Sequence, residues 1–358
     1  MAIFPSDSIV PTDVPYTSSL TEDVIRELAE VYPFIERLSI GKSVMGRDIW
    51  MLRIGTGERQ VFYNASFHAN EWITTPVLLK FAEDYVRAVA QDGVMPVAGI
   101  PCGGAAQDGV MPQGSAGGGS AQNDTVPQGS AQQDRESVTW PPASDIYRRT
   151  TLYLVPLVNP DGIDLVTGAL SEGEYYDRAA RIAADYPDIP FPDGWKANID
   201  GVDLNLQFPA GWELAKEIKY SQGFTKPAPR DYVGSGPLTA PESVAVYELT
   251  LRSDFRLILC YHTQGEVIYW KYKDYEPECS RKIAEMFARS SGYALEETPA
   301  ASGNAGYKDW FIQDYNRPGY TIEAGLGENP LPISQFDEIY RRNLGILMGG
   351  LTETCTTN

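Results

Sequence analysis

The chain has 358 residues, of which 43% are apolar, an ordinary fraction for a soluble globular protein. Its 29 basic and 48 acidic residues leave a net charge of −19, which argues against nucleic acid or an anionic membrane as a partner. No apolar run is long enough to cross a bilayer, and Met1 to Pro15 lack the basic head and apolar core of a leader, so the cytoplasm is the expected location.

Taken in chain order, Tyr16 to Ser19 lead into a helix. Ser19 and Glu22 have capping-box spacing, and Val24, Ile25, Leu28 and Val31 form an apolar stripe. Arg37 to Ser43 and Ile49 to Ile54 read as a hairpin around Met45-Gly46-Arg47-Asp48. Val61 to Phe67 is a strand, followed by a helix that starts near Pro76 and carries Leu78, Phe81, Ala82, Tyr85 and Val89 on one face. Gln91 to Ser137 differs in kind. It has no aromatic residue, holds ten of the 33 glycines, and repeats QDGVMP and PQGSA at irregular spacing. Such a stretch cannot bury enough surface to order itself, so it reads as a surface insertion.

Thr151 to Val158 resumes as a buried strand that ends in a turn signal, Asn159-Pro160-Asp161-Gly162. Helices are expected over Tyr175 to Tyr186, within Pro237 to Arg252, over Pro277 to Ser290 and over Phe336 to Leu351. Strands are expected over Phe255 to Tyr261 and Gly319 to Ile322. Strands alternating with helices imply an α/β fold with a mixed, mostly parallel central sheet flanked by helices. The four cysteines show no CxxC spacing and read as free thiols in a reducing compartment.

The chemistry concentrates at His68-Ala69-Asn70-Glu71. An imidazole and a carboxylate three residues apart, leaving the carboxyl end of a strand, can grip one metal ion from a single turn. A catalytic zinc takes three protein ligands and keeps a position for water. The chain has only one other histidine, His262, and it too follows a buried strand. His68, Glu71 and His262 are therefore the candidate ligands of one zinc per chain. Taken alone, His68 and Glu71 could equally be a hydrogen-bonded histidine beside a helix-start carboxylate.

With HxxE at His68, NPDG at Asn159, GVDLN at Gly201, the strand-end His262 and a late strand-end Glu323 in that order, the chain resembles the M14 zinc metallocarboxypeptidases. The resemblance spans nearly the whole chain outside the insertion, and implies a single catalytic domain over 1–358 interrupted at about 91–137. Trp195-Lys196-Ala197-Asn198 and the run from Gly201 to Glu213 resemble the bacterial γ-D-glutamyl-L-diamino acid endopeptidases within that family. The resemblance implies that Glu323 takes the proton of the attacking water and passes it to the leaving amine. It also places a cation after the tryptophan, which makes Lys196 the candidate oxyanion partner; a solvated loop lysine is the alternative. Carboxypeptidases hold the substrate's terminal carboxylate with an Asn-Arg pair, and here the pair is Asn205-Leu206, at the substrate-binding position. Leucine cannot clamp a carboxylate; Arg230 and Arg317 could supply a different clamp, though the sequence does not place them and surface arginines are the alternative. Asn70 stands where the family often has arginine, and no tyrosine stands shortly before Ala301-Ser302-Gly303. The implied substrate is a peptide or muropeptide. A conventional carboxypeptidase, a zinc amidohydrolase acting on N-acyl amino acids and an inactive wall-peptide-binding relative stay as alternatives.

Overall fold

A computed structural model of the chain describes residues 8–93, 140–299 and 302–353. Helix α1 (Ser18–Val31) is followed by the antiparallel strands β1 (Ile35–Lys42) and β2 (Asp48–Ile54), then β3 (Arg59–Ala65), a short 3-10 turn at Ala69–Glu71, and α2 (Thr74–Ala90). Beyond the undescribed stretch come α3 (Ala143–Arg149), β4 (Thr150–Val155), α4 (Pro160–Val166) and α5 (Glu174–Ala184). Then follow α6 (Trp212–Ser221), α7 (Pro241–Leu251), β5 (Phe255–His262), β6 (Val267–Tyr269) and α8 (Ser280–Ser291). The chain closes with β7 (Ala294–Glu296), α9 (Tyr307–Tyr315), β8 (Gly319–Glu323) and α10 (Phe336–Thr352).

These strands form one eight-stranded sheet, in the order β1-β2-β4-β3-β5-β8-β6-β7 among the described residues. Its centre is parallel: β3 pairs with β4 and β5, and β5 with β8. The β1–β2, β2–β4 and β6–β8 pairings are antiparallel. Successive side chains of a strand face opposite sides. On β3, Val61, Tyr63 and Ala65 enter one core, with α1, α2, α8 and α10, while Phe62 enters the other, with α7 and α9. β5 divides likewise, Leu257, Leu259 and Tyr261 from Ile258 and Cys260. Tyr63 carries its hydroxyl to the carbonyl of Leu347 in α10 at 2.7 Å. A Cβ at Gly350 would lie 2.2 Å from that hydroxyl oxygen, so only glycine lets α10 approach the sheet so closely.

Several expectations shift. The cap of α1 is Thr17, whose side chain accepts from Leu20 N, and not Ser19. Asn159-Pro160-Asp161-Gly162 is a helix start rather than a plain turn: Asn159 is the N-cap of α4, accepting from Gly162 N, and Pro160 sits in the first turn. The helices α3, α6 and α9 and the strands β6 and β7 lie outside the expected elements. α9 is buried on almost every side from Tyr307 to Ile312, which leaves no amphipathic stripe to read, and β6 and β7 are three residues each.

The expected insertion, 91–137, lies almost wholly outside the described residues. Its borders are in contact, since Ala143 N donates to the carbonyl of Gly93 at 3.1 Å. Replacing residues 94–139 with a short Gly-Ser link should therefore leave the melting temperature and peptide turnover within about twofold of wild type, because loop length costs little once the ends are close. A folded but inactive deletion would show that the segment reaches the substrate.

Candidate active site

The carboxyl ends of β3, β5 and β8 lie side by side, with Ala65 paired to Tyr261 and His262 to Glu323. The chain leaves β3 through Ser66, in a left-handed conformation at φ 54°, whose hydroxyl is 2.9 Å from those of both Thr74 and Thr75. The 3-10 turn then brings Glu71 back beside His68, with His68 Nδ1 2.9 Å from Glu71 Oε1. His262 delivers Nδ1 from β5, 2.9 Å from Glu71 Oε2 and 3.2 Å from His68 Nδ1. All three side chains are buried, and their ligand atoms lie within 4.8 Å of one another.

The chemistry of this donor set can be read from the group behind it. Asp203 Oδ1 lies 3.2 Å from His68 Nε2. Burial would raise the Asp203 pKa, but His68 overcomes that and holds the carboxyl below the usual range. An ionised carboxylate only accepts, so Nε2 keeps its proton toward Asp203, and Nδ1 is the nitrogen that can give a lone pair to a cation. Nδ1 of both imidazoles and the Glu71 carboxylate thus converge on one point, a set of atoms that suits a divalent cation. Burial alone would lower the His68 pKa, yet Glu71 and Asp203 raise it to about 9, so the site favours positive charge. Two nitrogens and a carboxylate are a donor set that zinc takes, with a position to spare for water.

Lys196 reaches the same carboxylate, its Nζ 3.1 Å from Glu71 Oε1. Burial works against its charge, but Glu71, Asp203 and Glu323 together outweigh burial and the ammonium is retained. Its backbone is tied on both sides: Ala69 N donates to Lys196 O, and Lys196 N and Ala197 N both donate to Pro229 O. Asn159 Nδ2 adds a tie, donating to Phe67 O and Ala197 O and so joining the metal turn to the lysine loop. Asn198 closes that loop by accepting from Asp200 N and Val202 N, while its Nδ2 donates to the buried Glu242.

All seven residues expected at the site line a single cavity of about 680 Å³: His68, Glu71, His262, Lys196, Asn205, Leu206 and Glu323. Among the described residues the Glu323 carboxylate accepts no hydrogen bond. Burial raises its pKa, with Glu71 adding to the rise and His262 and Lys196 opposing it. Asn205 Oδ1 is occupied by the N–H of Tyr307, leaving only its amide nitrogen to donate. Leu206 lines the cavity and packs behind it with Trp212, Ala215, Val233 and Ala305 as one apolar cluster. Residue patterns alone did not single out Asp203, nor the Lys219–Asp231 and Lys308–Asp309 ion pairs on the same cavity. Asp203 could have been found inside GVDLN, since a ligating histidine needs an acceptor behind it. The two pairs join residues that carry no such motif.

The zinc carboxypeptidase family profile matches residues 21–95 and 138–345. The chain belongs to that family. A γ-D-glutamyl-L-diamino acid endopeptidase 1 from Lysinibacillus sphaericus is 41% identical over 336 residues, covering 94% of this chain and 72% of the relative. An uncharacterized Bacillus subtilis protein, YqgT, is 39% identical over 350 residues, covering 97% of this chain and 80% of its own length. Carboxypeptidase A from Helicoverpa armigera shares the fold at a TM-score of 0.63 and 17% identity, over 96% of this chain and 75% of that one. Thrombin-activatable fibrinolysis inhibitor does so at 0.64 and 14%, over 97% and 76%. This zinc carboxypeptidase is thus a metallopeptidase that acts on peptides, and its His-Glu-His group suits the family's metal.

Two outcomes are expected. Purified protein should hold about one zinc per chain, and His262→Ala should lose most of it when metal content is measured after dialysis. Glu242 behaves differently. Burial raises its pKa to about 7, with Asp161 adding to the rise and Asn198 and Val44 N opposing it. A carboxyl raised on folding stabilises the fold while protonated, and that contribution is lost as pH climbs from its ordinary value through about 7. Between about pH 5 and 8 the melting temperature of Glu242→Gln should therefore gain on that of wild type; parallel curves would show that Glu242 does not titrate there.

Proposed function

We propose that this zinc peptidase cleaves γ-D-glutamyl-L-diamino acid bonds in peptidoglycan peptides. The observation that carries the reading is the apolar Leu206 side chain in the cavity lining, where an exopeptidase of the family needs a guanidinium, beside a complete set of candidate metal ligands. An enzyme without that clamp is suited to a bond other than an ordinary C-terminal peptide bond. The relative from Lysinibacillus sphaericus supports the substrate class.

His68, Glu71 and His262 hold the metal. Zinc, when bound, supplies the Lewis acidity that lowers the pKa of a water and polarises the scissile carbonyl. Glu323 stands at the end of β8 beside His262 with no competing hydrogen bond, and burial raises its proton affinity. A carboxylate so placed takes a proton from the water and returns it to the leaving amine. Lys196 keeps its ammonium against the metal ligands and offers the positive charge that an oxyanion requires. Asp203 holds His68 in the tautomer that ligates, and Asn205 and Leu206 line the substrate cavity. In this reading the whole chain is one catalytic domain, with the insertion as a tolerated addition. No helix among the described residues is long and apolar enough to cross a membrane. The free Cys260 and Cys279 support placement in the cytoplasm.

Purified enzyme should release L-Lys from L-Ala-γ-D-Glu-L-Lys faster than it removes the C-terminal residue of an ordinary dipeptide. The reverse order would make it a conventional carboxypeptidase. Glu323→Gln should lower turnover by about two orders of magnitude or more at unchanged zinc content. Near-normal turnover in that variant would move the proton acceptor elsewhere.

A further inference from the structure

We propose that Arg230 is the carboxylate clamp of this site, and that it reads the free α-carboxylate of a γ-linked glutamyl residue on the acyl side of the scissile bond. The proposal rests on the substrate class proposed above and names the group by which that substrate is recognised.

Arg230 lines the same cavity as the metal ligands and Glu323. Its backbone is fixed from both sides. Pro229 O accepts from Lys196 N at 2.7 Å and Ala197 N at 2.9 Å, and Asp203 N donates to Tyr232 O at 2.9 Å. Asp231 N donates to Asp203 Oδ2 at 3.2 Å, so the carboxylate that orients His68 also holds this segment. The guanidinium is braced as well: Nε donates to Asp231 Oδ2 at 2.7 Å, while Lys219 Nζ lies 2.6 Å from Asp231 Oδ1. Asp231 itself takes a left-handed backbone at φ 65°, which a non-glycine residue adopts only where its surroundings hold it.

With Nε spent on that brace, the two terminal nitrogens have no partner among the described residues. The other cations of the cavity are lysines, each held by a carboxylate. Lys196 is on Glu71, Lys219 on Asp231, and Lys308 on Asp309, Lys271 O and Thr298 Oγ1. Lys196 and Lys219 keep further N–H groups but are point charges, so Arg230 is the cavity residue, among those described, that presents an open planar fork of two N–H groups. Its side chain is 42% exposed, hence within reach of an incoming substrate. Two parallel N–H groups on a braced guanidinium are the geometry that pairs with a carboxylate. A γ-glutamyl linkage leaves its α-carboxylate free near the scissile amide, whereas an ordinary α-peptide bond consumes it.

The test compares L-Ala-γ-D-Glu-L-Lys with the same peptide amidated at the glutamyl α-carboxyl. Wild type should prefer the free acid. Arg230→Ala should lose about ten- to hundredfold in kcat/KM on the acid, mainly through KM, and about twofold or less on the amide. Arg230→Lys, which keeps charge without the fork, should fall between. Calorimetric binding of both peptides to zinc-loaded Glu323→Gln, with and without Arg230→Ala, should show the same selective loss without turnover. Equal losses on both peptides, or none, would overturn the clamp. Should wild type cut neither peptide, the functional reading fails, and the calorimetric difference between acid and amide still decides the role of Arg230.

Discussion

The parallel pairing of β3, β5 and β8 is the constraint on which the site depends. Residues separated by nearly two hundred positions in sequence meet because Ala65 is registered with Tyr261 and His262 with Glu323. A slip of one residue on any of these strands would turn its side chains to the opposite face. The two cores prevent that, since Val61, Tyr63 and Ala65 on β3, and Leu257, Leu259 and Tyr261 on β5, all pack on one side. Burial of alternating apolar residues thus fixes where two histidines and two carboxylates stand.

The second layer of order is polar and carried by loops. Asn159 ties the metal turn to the lysine loop, Asn198 closes that loop, and Glu242 holds Asn198. Asp203 orients His68 through one oxygen and holds the Arg230 segment through the other. Buried polar groups of this kind are costly unless each is satisfied, so such a network tolerates few alternative arrangements. The site is accordingly rigid where it holds metal, and charged but paired around the rest of the cavity.

Much of this was legible in the residues. The HxxE turn, the second histidine after a buried run and Glu323 after Gly319 to Ile322 all carry local signals, and the central strands stand out as apolar runs bounded by turn residues. Less legible were elements whose surroundings, rather than their own pattern, determine their form. α9 is buried on nearly all sides, so its helical period is masked. The three-residue β6 and β7 are strands only because β8 offers β6 an edge. Asn159-Pro160-Asp161-Gly162 has turn composition, but the same asparagine and proline also suit a helix start, and the burial of α4 selects the helix.

The sequence by itself determined the fold class and marked the candidate zinc ligands and the glutamate beside them, because each rests on a residue type at a fixed distance from a strand end. It also showed that Leu206 cannot clamp a carboxylate, a fact of side-chain chemistry alone. Only the tertiary structure decided which charged groups are spent and which are free. Lys196, Lys219 and Lys308 are each engaged by a carboxylate, while Arg317, also a candidate cation by residue type, is tied to Phe255 O and Asp254 and does not line the cavity. Arg230 stands in the cavity with its terminal nitrogens unspent among the described residues. A charge is written in the chain, but its partner is set by distances of a few ångströms between segments that only folding brings together.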